Sequence, residues 1–423
     1  MSASFQIPLD IPDIEIIAVR EGERNAFILE VKSTLNYTHC RQCQRKVTTF
    51  HGYDRAIRLQ HLPILERKVF IELQPKRYRC RHCEGDPTTT QQLDWYTLNS
   101  PHTKALDQWL LKMLINSTVS DASRRCQVSY DAVDGCIDRH VGKTVNWSQL
   151  TPFHTLGLDE IALRKGHKHF VCVVTALDAD DQVMVLAILS DRLKQTVLAF
   201  LNSMPAKFRK AIKRVCSDMY EGYINAAKEA LPDAAVVIDR FHVAKHYNEG
   251  VDELRKATLR ALKQDLPEEQ YAKLKGLMWP FRRHVWDLSE TQQEQLAELF
   301  LYAPELKQAW LLRHELFLIY ESPHTPEQAG QHFDEWVQKV RDENVTCFDR
   351  FIRQLETSRT DILAYFDGRH TSGFVEGLNN KLKVIKRRCF GLLDAGKLFQ
   401  RIQIDLQERT GFLSVWQNTT SCG

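Results

Sequence analysis

The chain has 423 residues, more than the ~100–200 of a typical single domain, so two or more folding units are expected. Hydrophobic residues at 43% and charged residues at 26% supply a core and exclude a largely disordered chain. The net charge of +3 is unevenly spread: residues 40–83 hold eleven Lys or Arg against three Asp or Glu, which is +8 and leaves −5 elsewhere. A local basic face is the footprint that a polyanionic partner requires.

The first residues, MSASFQIPLDIPDIEIIAV, lack a basic stretch followed by an apolar core, and no segment has eighteen apolar residues in a row. A cytoplasmic protein without a membrane partner is expected. Eleven cysteines are an odd number in a large chain, and four of them have metal-type spacing, so reduced thiols with one metal site are expected.

Residues 1–100 predict a small β-rich module, with strands at 14–19, 26–31, 56–62 and 68–73 rich in β-branched and aromatic residues. Within it, Cys40-x-x-Cys43 and Cys80-x-x-Cys83 flank a spacer of thirty-six residues. Four thiolates from two tight knuckles close the tetrahedral shell of structural zinc, and the long spacer suits a zinc ribbon. His39 and His82 adjoin the cysteines and are left out of the shell. Arg41, Arg45 and Lys46, with Arg77, Arg79 and Arg81, surround the ligands; they make a surface for phosphate or, alternatively, a solvated basic face.

Residues 101–150 turn helical. Leu106, Leu110, Leu114 and Ile115 share a helix face, and shorter helices follow at 119–126 and 130–141. A turn near 127–129, with Ser129 able to cap the second helix, gives a helix-turn-helix in which Arg124 and Arg125 can meet phosphate. The second helix carries Asp131, Asp134 and Asp138, so two helices paired for purely structural reasons remain an alternative.

Residues 151–240 alternate strands (155–161, 169–177, 183–189, 214–217, 235–238) with helices in the order βββαβα plus a further strand, the ribonuclease H-like pattern. Residues 241–366 offer only amphipathic helices, which implies an all-helical insertion. Trp279, Trp286, Trp310 and Trp336 within it are expected in its core. Residues 367–423 return to the catalytic domain with a helix at 371–388. The fold class expected is therefore multidomain α/β.

Two divalent ions about 4 Å apart commonly drive phosphodiester cleavage, and hard ions want carboxylate oxygens. Asp159, in GLDE, lies on the first strand of the α/β domain. Asp218, in CSDM, ends the strand after the first helix, which is adjacent and parallel to the first in such a sheet. Glu376, in SGFVEGLNNKLK, shares a helix face with Asn379 or Asn380, Lys383 and Arg387, where a carboxylate can bind metal while amides and cations hold the DNA backbone. Asp239, in IDRFHVAK, also ends a strand and competes with Asp218, but lies one strand farther from Asp159. His242 and Lys245 are expected to touch DNA or orient the site, with a structural role open for the histidine. Glu160 points to the opposite face from Asp159.

The order of two CxxC pairs, helix-turn-helix, GLDE, CSDM, IDRFHVAK and SGFVEGLNNKLK resembles that of the ISL3 family of bacterial insertion-sequence transposases over nearly the whole chain. The resemblance implies a DDE triad at Asp159, Asp218 and Glu376 on a ribonuclease H-like fold with a helical insertion. It also implies that the N-terminal domains recognise terminal inverted repeats. The expected activity is metal-dependent DNA strand cleavage and strand transfer with two Mg²⁺ ions, Mn²⁺ being an alternative, and structural Zn²⁺. Expected partners are double-stranded DNA, both element ends and target, and further copies of the chain as a dimer or larger assembly. Two rivals stand beside it: a ribonuclease H-like nuclease that cuts without joining, and a zinc-dependent DNA-binding repressor with an inactive catalytic domain.

Overall fold

The computed structural model describes residues 9, 11–164, 168–178, 182–369, 373–389 and 392–410, with the side chains of 164, 168, 373–376 and 407–410 left out. It divides into two compact units, Met1–Gly142 with Gln403–Gly423, and Lys143–Ile402.

Nine strands open the first unit: β1 (Ile14–Glu21), β2 (Phe27–Ser33), β3 (Thr38–His39), β4 (Lys46–Val47), β5 (Phe50–Tyr53), β6 (Ile57–Ile64), β7 (Arg67–Leu73), β8 (Lys76–Arg79) and β9 (Thr88–Thr90). Four of them form a sheet in the order β1-β2-β7-β6, with β2 and β7 parallel. Period-two alternation along β2, β6 and β7 turns Leu29, Val31, Leu59, Val69, Ile71 and Leu73 to one face, where they pack on Leu93, Trp95 and Tyr96. The pair β3-β4 and the sheet β5-β8-β9 make a separate small layer around the four knuckle cysteines. Sequence periodicity predicts the four long strands; the five strands of two to four residues are additions.

Helices α1 (Lys104–Leu114), α2 (Val119–Cys126) and α3 (Tyr130–His140) follow. Each begins at a hydroxyl cap: Thr103 accepts from the Leu106 amide, Thr118 from Asp121 and Ser129 from Ala132. Gln127, at φ 53°, makes the left-handed turn that ends α2. Leu106, Leu110, Leu114, Val133 and Ile137 form the shared core, with Ile404 from the end of the chain.

The second unit is built on β10 (Thr155–Arg164), β11 (Lys168–Leu177), β12 (Val183–Ile188), β13 (Arg214–Ser217) and β14 (Ala235–Ile238), in the order β12-β11-β10-β13-β14. The first three are an antiparallel meander, and β13 and β14 add in parallel. Helices α4 (Lys194–Ser203), α5 (Ala206–Ala211) and α6 (Glu221–Ala230) supply the crossovers that parallel pairing demands.

The helical region starts with the 26-residue α7 (Arg240–Asp265) and continues through α8 (Glu268–Lys273), α9 (Met278–Arg282), α10 (Glu290–Tyr302), α11 (Pro304–Glu321), α12 (Pro326–Asp342), α13 (Asp349–Thr357) and α14 (Arg359–Leu363). It shares one continuous apolar core with the sheet, from Phe153 and Leu156 to Tyr365 and Phe366. At Gly250 a Cβ would meet the Cys347 carbonyl oxygen at 2.2 Å. A helix-weakening glycine is kept there because the backbones approach so closely. Helices α15 (Gly373–Arg388) and α16 (Ala395–Thr410) follow. No helix among the described residues is long and apolar enough to cross a membrane.

Candidate metal and nucleic-acid sites

In the first unit the sulfurs of Cys40, Cys43, Cys80 and Cys83 lie within 4.8 Å of one another. Cys40 to Cys83 is 3.9 Å, Cys43 to Cys80 is 3.7 Å and Cys80 to Cys83 is 3.8 Å. Zn–S bonds of about 2.3 Å in a tetrahedron set S···S edges of about 3.8 Å, so these residues fit structural zinc. The amides of Gln42 and His82 point at Cys40 and Cys80 Sγ, both at 3.4 Å. Such donors favour thiolate, and Cys40 is lowered to about 6, the Cys43 backbone contributing most. His39 and His82 are exposed and stand outside the cluster.

Arg41, Arg45, Lys46 and Arg81 are exposed and, among the described residues, make no ion pair; Lys46 instead lies 3.9 Å over the Tyr37 ring. Arg77 donates to Thr88, and Arg79 bonds His51. On α2, Arg124 pairs with Asp121 and Arg125 is exposed. Arg139, the one base late in α3, is committed elsewhere: it donates to both oxygens of the buried Asp107 at 3.1 Å. His102 and His140 also donate to that carboxylate, each at 2.8 Å. Periodicity alone gives no hint of this hub, because Asp107 stands in an otherwise apolar helix.

In the second unit Leu158 pairs with Ser217 and Ser217 with Ile238. Asp218 and Asp239 therefore stand just past the carboxyl ends of β13 and β14, and Asp159 lies within β10 one residue beyond the row where its parallel pairing with β13 stops, on the edge where ligands of open α/β sheets collect. Asp159 accepts from the Glu160 amide at 2.7 Å, and Asp218 from the Tyr220 amide at 3.0 Å. Burial pushes both carboxyls up, Asp218 to about 6. Positive charge at His242, on α7, opposes the shift at both acids, and negative charge at Glu160 adds to it.

Asp239 is occupied differently. It is buried, caps α7 and accepts from the Phe241 amide at 2.7 Å. Glu160 pairs with Arg192 at 2.7 Å, and Lys245 is exposed beside Glu249.

Helix α15 reaches the same strand end. Asn379 is buried and donates through Nδ2 to Asp159 Oδ2, while its buried Oδ1 has no partner among the described residues. An amide oxygen next to the Asp159 carboxyl is the kind of donor that a hard cation takes. Lys383 is exposed, and its charge favours ionised Asp159. Asn380 and Arg387 are exposed, and Lys386 donates to the Ala162 carbonyl. Of the two asparagines on the Glu376 face, the buried one touches the acid. Glu376 lies on α15, but its side chain is outside the described residues.

Comparison with known proteins matches three stretches of the chain to family models. A family model described as transposase, of the ISL3 DDE type, matches residues 156–402. The helix-turn-helix domain of transposase family ISL3 matches residues 91–141, and the zinc-finger of transposase IS204/IS1001/IS1096/IS1165 matches residues 36–83. Over 393 residues the chain is 28% identical to the transposase for insertion sequence element IS1001 of Bordetella parapertussis, covering 92% of this chain and 94% of that protein. Over 410 residues it is 25% identical to the transposase for insertion sequence element IS1557 of Mycobacterium tuberculosis, covering 90% and 88%. Among solved structures, the Drosophila P element transposase strand transfer complex aligns at a TM-score of 0.35 and 12% identity, over 76% of this chain and 94% of that one.

Proposed function

Since the chain belongs to the ISL3 family of insertion-sequence transposases, we propose that it cuts and rejoins DNA with Asp159, Asp218 and Glu376 as the acids that hold two Mg²⁺ ions, Mn²⁺ being an alternative. The observation that carries this reading is that Asp159 and Asp218 each follow the last paired row of the adjacent parallel strands β10 and β13, with Asn379 of α15 on Asp159. The sheet order, an antiparallel meander extended by two parallel strands, supports a ribonuclease H-like class for the catalytic domain. When bound, the ions would lower the pKa of the attacking oxygen and stabilise the leaving one.

The chain's own residues supply the rest. Asp159 on β10 and Asp218 just after β13 hold charge side by side, Asn379 fixes the Asp159 carboxylate and offers a neutral oxygen, and His242 balances charge. Asn380, Lys383 and Arg387 on α15 bind the DNA backbone. In the first step water attacks at the element boundary, a phosphodiester breaks and a 3′-hydroxyl is freed. That hydroxyl then attacks a target phosphodiester in line: one P–O bond forms, one breaks, and the target's 3′-oxygen leaves.

Residues 1–100, with Arg41, Arg45 and Lys46 around the zinc knuckles, and residues 101–150, with Arg124 and Arg125, grip the terminal inverted repeat. Residues 151–240 and 367–423 form the catalytic domain around the insertion at 241–366. Two element ends need two active sites, so a dimer or larger assembly works on DNA.

The test uses DNA carrying the element's own ends, with and without Mg²⁺, resolved on a denaturing gel. Metal-dependent boundary nicks and joined products, both lost in Asp159→Asn and Glu376→Gln, are expected. Nicks without joined products would leave a nuclease, and binding without cleavage a repressor.

A further inference from the structure

The four tryptophans of the helical region divide into two classes. Trp310 and Trp336 are buried, and their Nε1 atoms donate to the carbonyls of Phe281 at 3.0 Å and Leu312 at 2.8 Å. Trp279 and Trp286 are 63% and 60% exposed, against the expectation of a core role for all four. Trp286 stacks flat on His284, with centroids 4.9 Å apart and planes at 6°, and Phe317 lies 4.0 Å from the same imidazole. His284 and Phe317 line a cavity of about 240 Å³, and a second of about 340 Å³ shares Asn248, Arg282 and Arg313 in its wall.

Arg313 is the informative group. It is 5% exposed, and among the described residues no carboxylate pairs with it; its one hydrogen bond goes to the Arg283 carbonyl at 3.3 Å. Arg240 and Arg282, in the same wall, have Glu321 and Asp252 as partners. An uncompensated buried cation is costly unless an anion completes it. Two more polar atoms of the cavity wall, Tyr320 Oη and His284 Nδ1, are buried without partners. Burial without a counter-charge lowers the Arg313 guanidinium to about 10. The cavity wall also runs along α7, the helix that carries His242 towards Asp159 and Asp218.

We propose that this cleft binds one unpaired nucleotide, its phosphate on Arg313 and its base continuing the Trp286–His284 stack. It rests on the DNA-end reading above for its source: a nucleotide unstacked from the duplex end beside the acids. A free mononucleotide has the same chemistry. Aromatic stacking suits such a ligand because every base has a π-face.

The experiment measures binding of the full chain to labelled duplexes bearing the element's end, either blunt or with a three-nucleotide single-stranded extension. The extension is expected to tighten binding about tenfold. Trp286→Ala and Arg313→Met should erase that gain and leave blunt-duplex affinity unchanged. Trp286 is exposed and its removal leaves the core intact; a melting temperature for Arg313→Met at or above that of the parent would show that the arginine serves a ligand rather than the fold. Competition by thymidine monophosphate that removes only the gain would support the same cleft with a free nucleotide as its occupant. Absence of both the gain and mononucleotide binding in the parent, or retention of the gain in both variants, overturns the proposal. Boundary cleavage by the parent without any gain would sink the cleft alone. Loss of all duplex binding would remove the DNA-end reading, with the mononucleotide arm still testing the cleft.

Discussion

Asp218 carries the cost of a buried acid cluster. Its carboxyl is pushed up to about 6 by burial, with Asp159 and Glu160 adding like charge. The folded protein thus binds this proton more tightly than the unfolded chain. Metal-free stability from this group is largest below the ordinary carboxylate range and falls as pH rises through about 6. Asp218→Asn should therefore stabilise metal-free protein at pH 8 by up to about 3 kcal/mol, read as a higher melting temperature, and change little at pH 4, while abolishing cleavage. A variant no more stable than its parent at pH 8 would remove the electrostatic strain from the site. Asn379 marks the limit of reading single residues from sequence. It and Asn380 sit one step apart on the Glu376 face, and a helix turns about 100° per residue, so only packing decides which one enters the site.

At the scale of elements, Asp107 holds α3 to α1. It lies on α1, and Arg139 and His140 reach it from α3 while His102 reaches it from the preceding loop. These partners keep its carboxyl well below the usual range despite burial. The stability it contributes is complete above that range and lost as pH falls through the depressed value. Asp107→Asn should destabilise the first unit by about 3 kcal/mol, because Arg139 is left without its counter-charge. Denaturant unfolding at pH 7 measures this, and a loss below about 0.5 kcal/mol would remove the hub from the account.

Legibility of the elements follows their length and what sets them. β13 and β14 are readable to the residue, since β14 is an apolar run cut off at Asp239 and β13, with Val215 and Cys216 at its centre, is cut off at Asp218. β3 and β4, two residues each, are placed by the knuckle geometry and carry no period of their own. β8, KRYR, hides as a basic run although Tyr78 is fully buried. The split of the tryptophans was equally hidden, because helical spacing does not say which face of a bundle is covered.

Across the whole molecule, the small layer around Cys40, Cys43, Cys80 and Cys83 has little apolar material beyond Val47 and Tyr78, whereas the second unit has one large core of its own. Metal and fold are therefore coupled in the first and independent in the second. Removing zinc, verified by metal analysis, should expose residues 36–83 to trypsin and weaken binding to element ends while the calorimetric transition of the second unit stays put. Unchanged proteolysis of the zinc-free protein would mean that the ribbon holds without its ion.

Asn379 reaches Asp159 across 220 residues of chain, and Asn116 takes a hydrogen bond acceptor from Asp405, 289 residues on. At about 5–20 residues per second of synthesis, the first strand of the sheet waits roughly 10–45 s for its asparagine. Both units thus draw on residues late in the chain, Asn379 for the second and Asp405 for the first. A nascent chain that has not yet reached Asp405 therefore lacks a contact that ties together distant parts of the first unit, and one that has not reached Asn379 lacks the corresponding contact of the second.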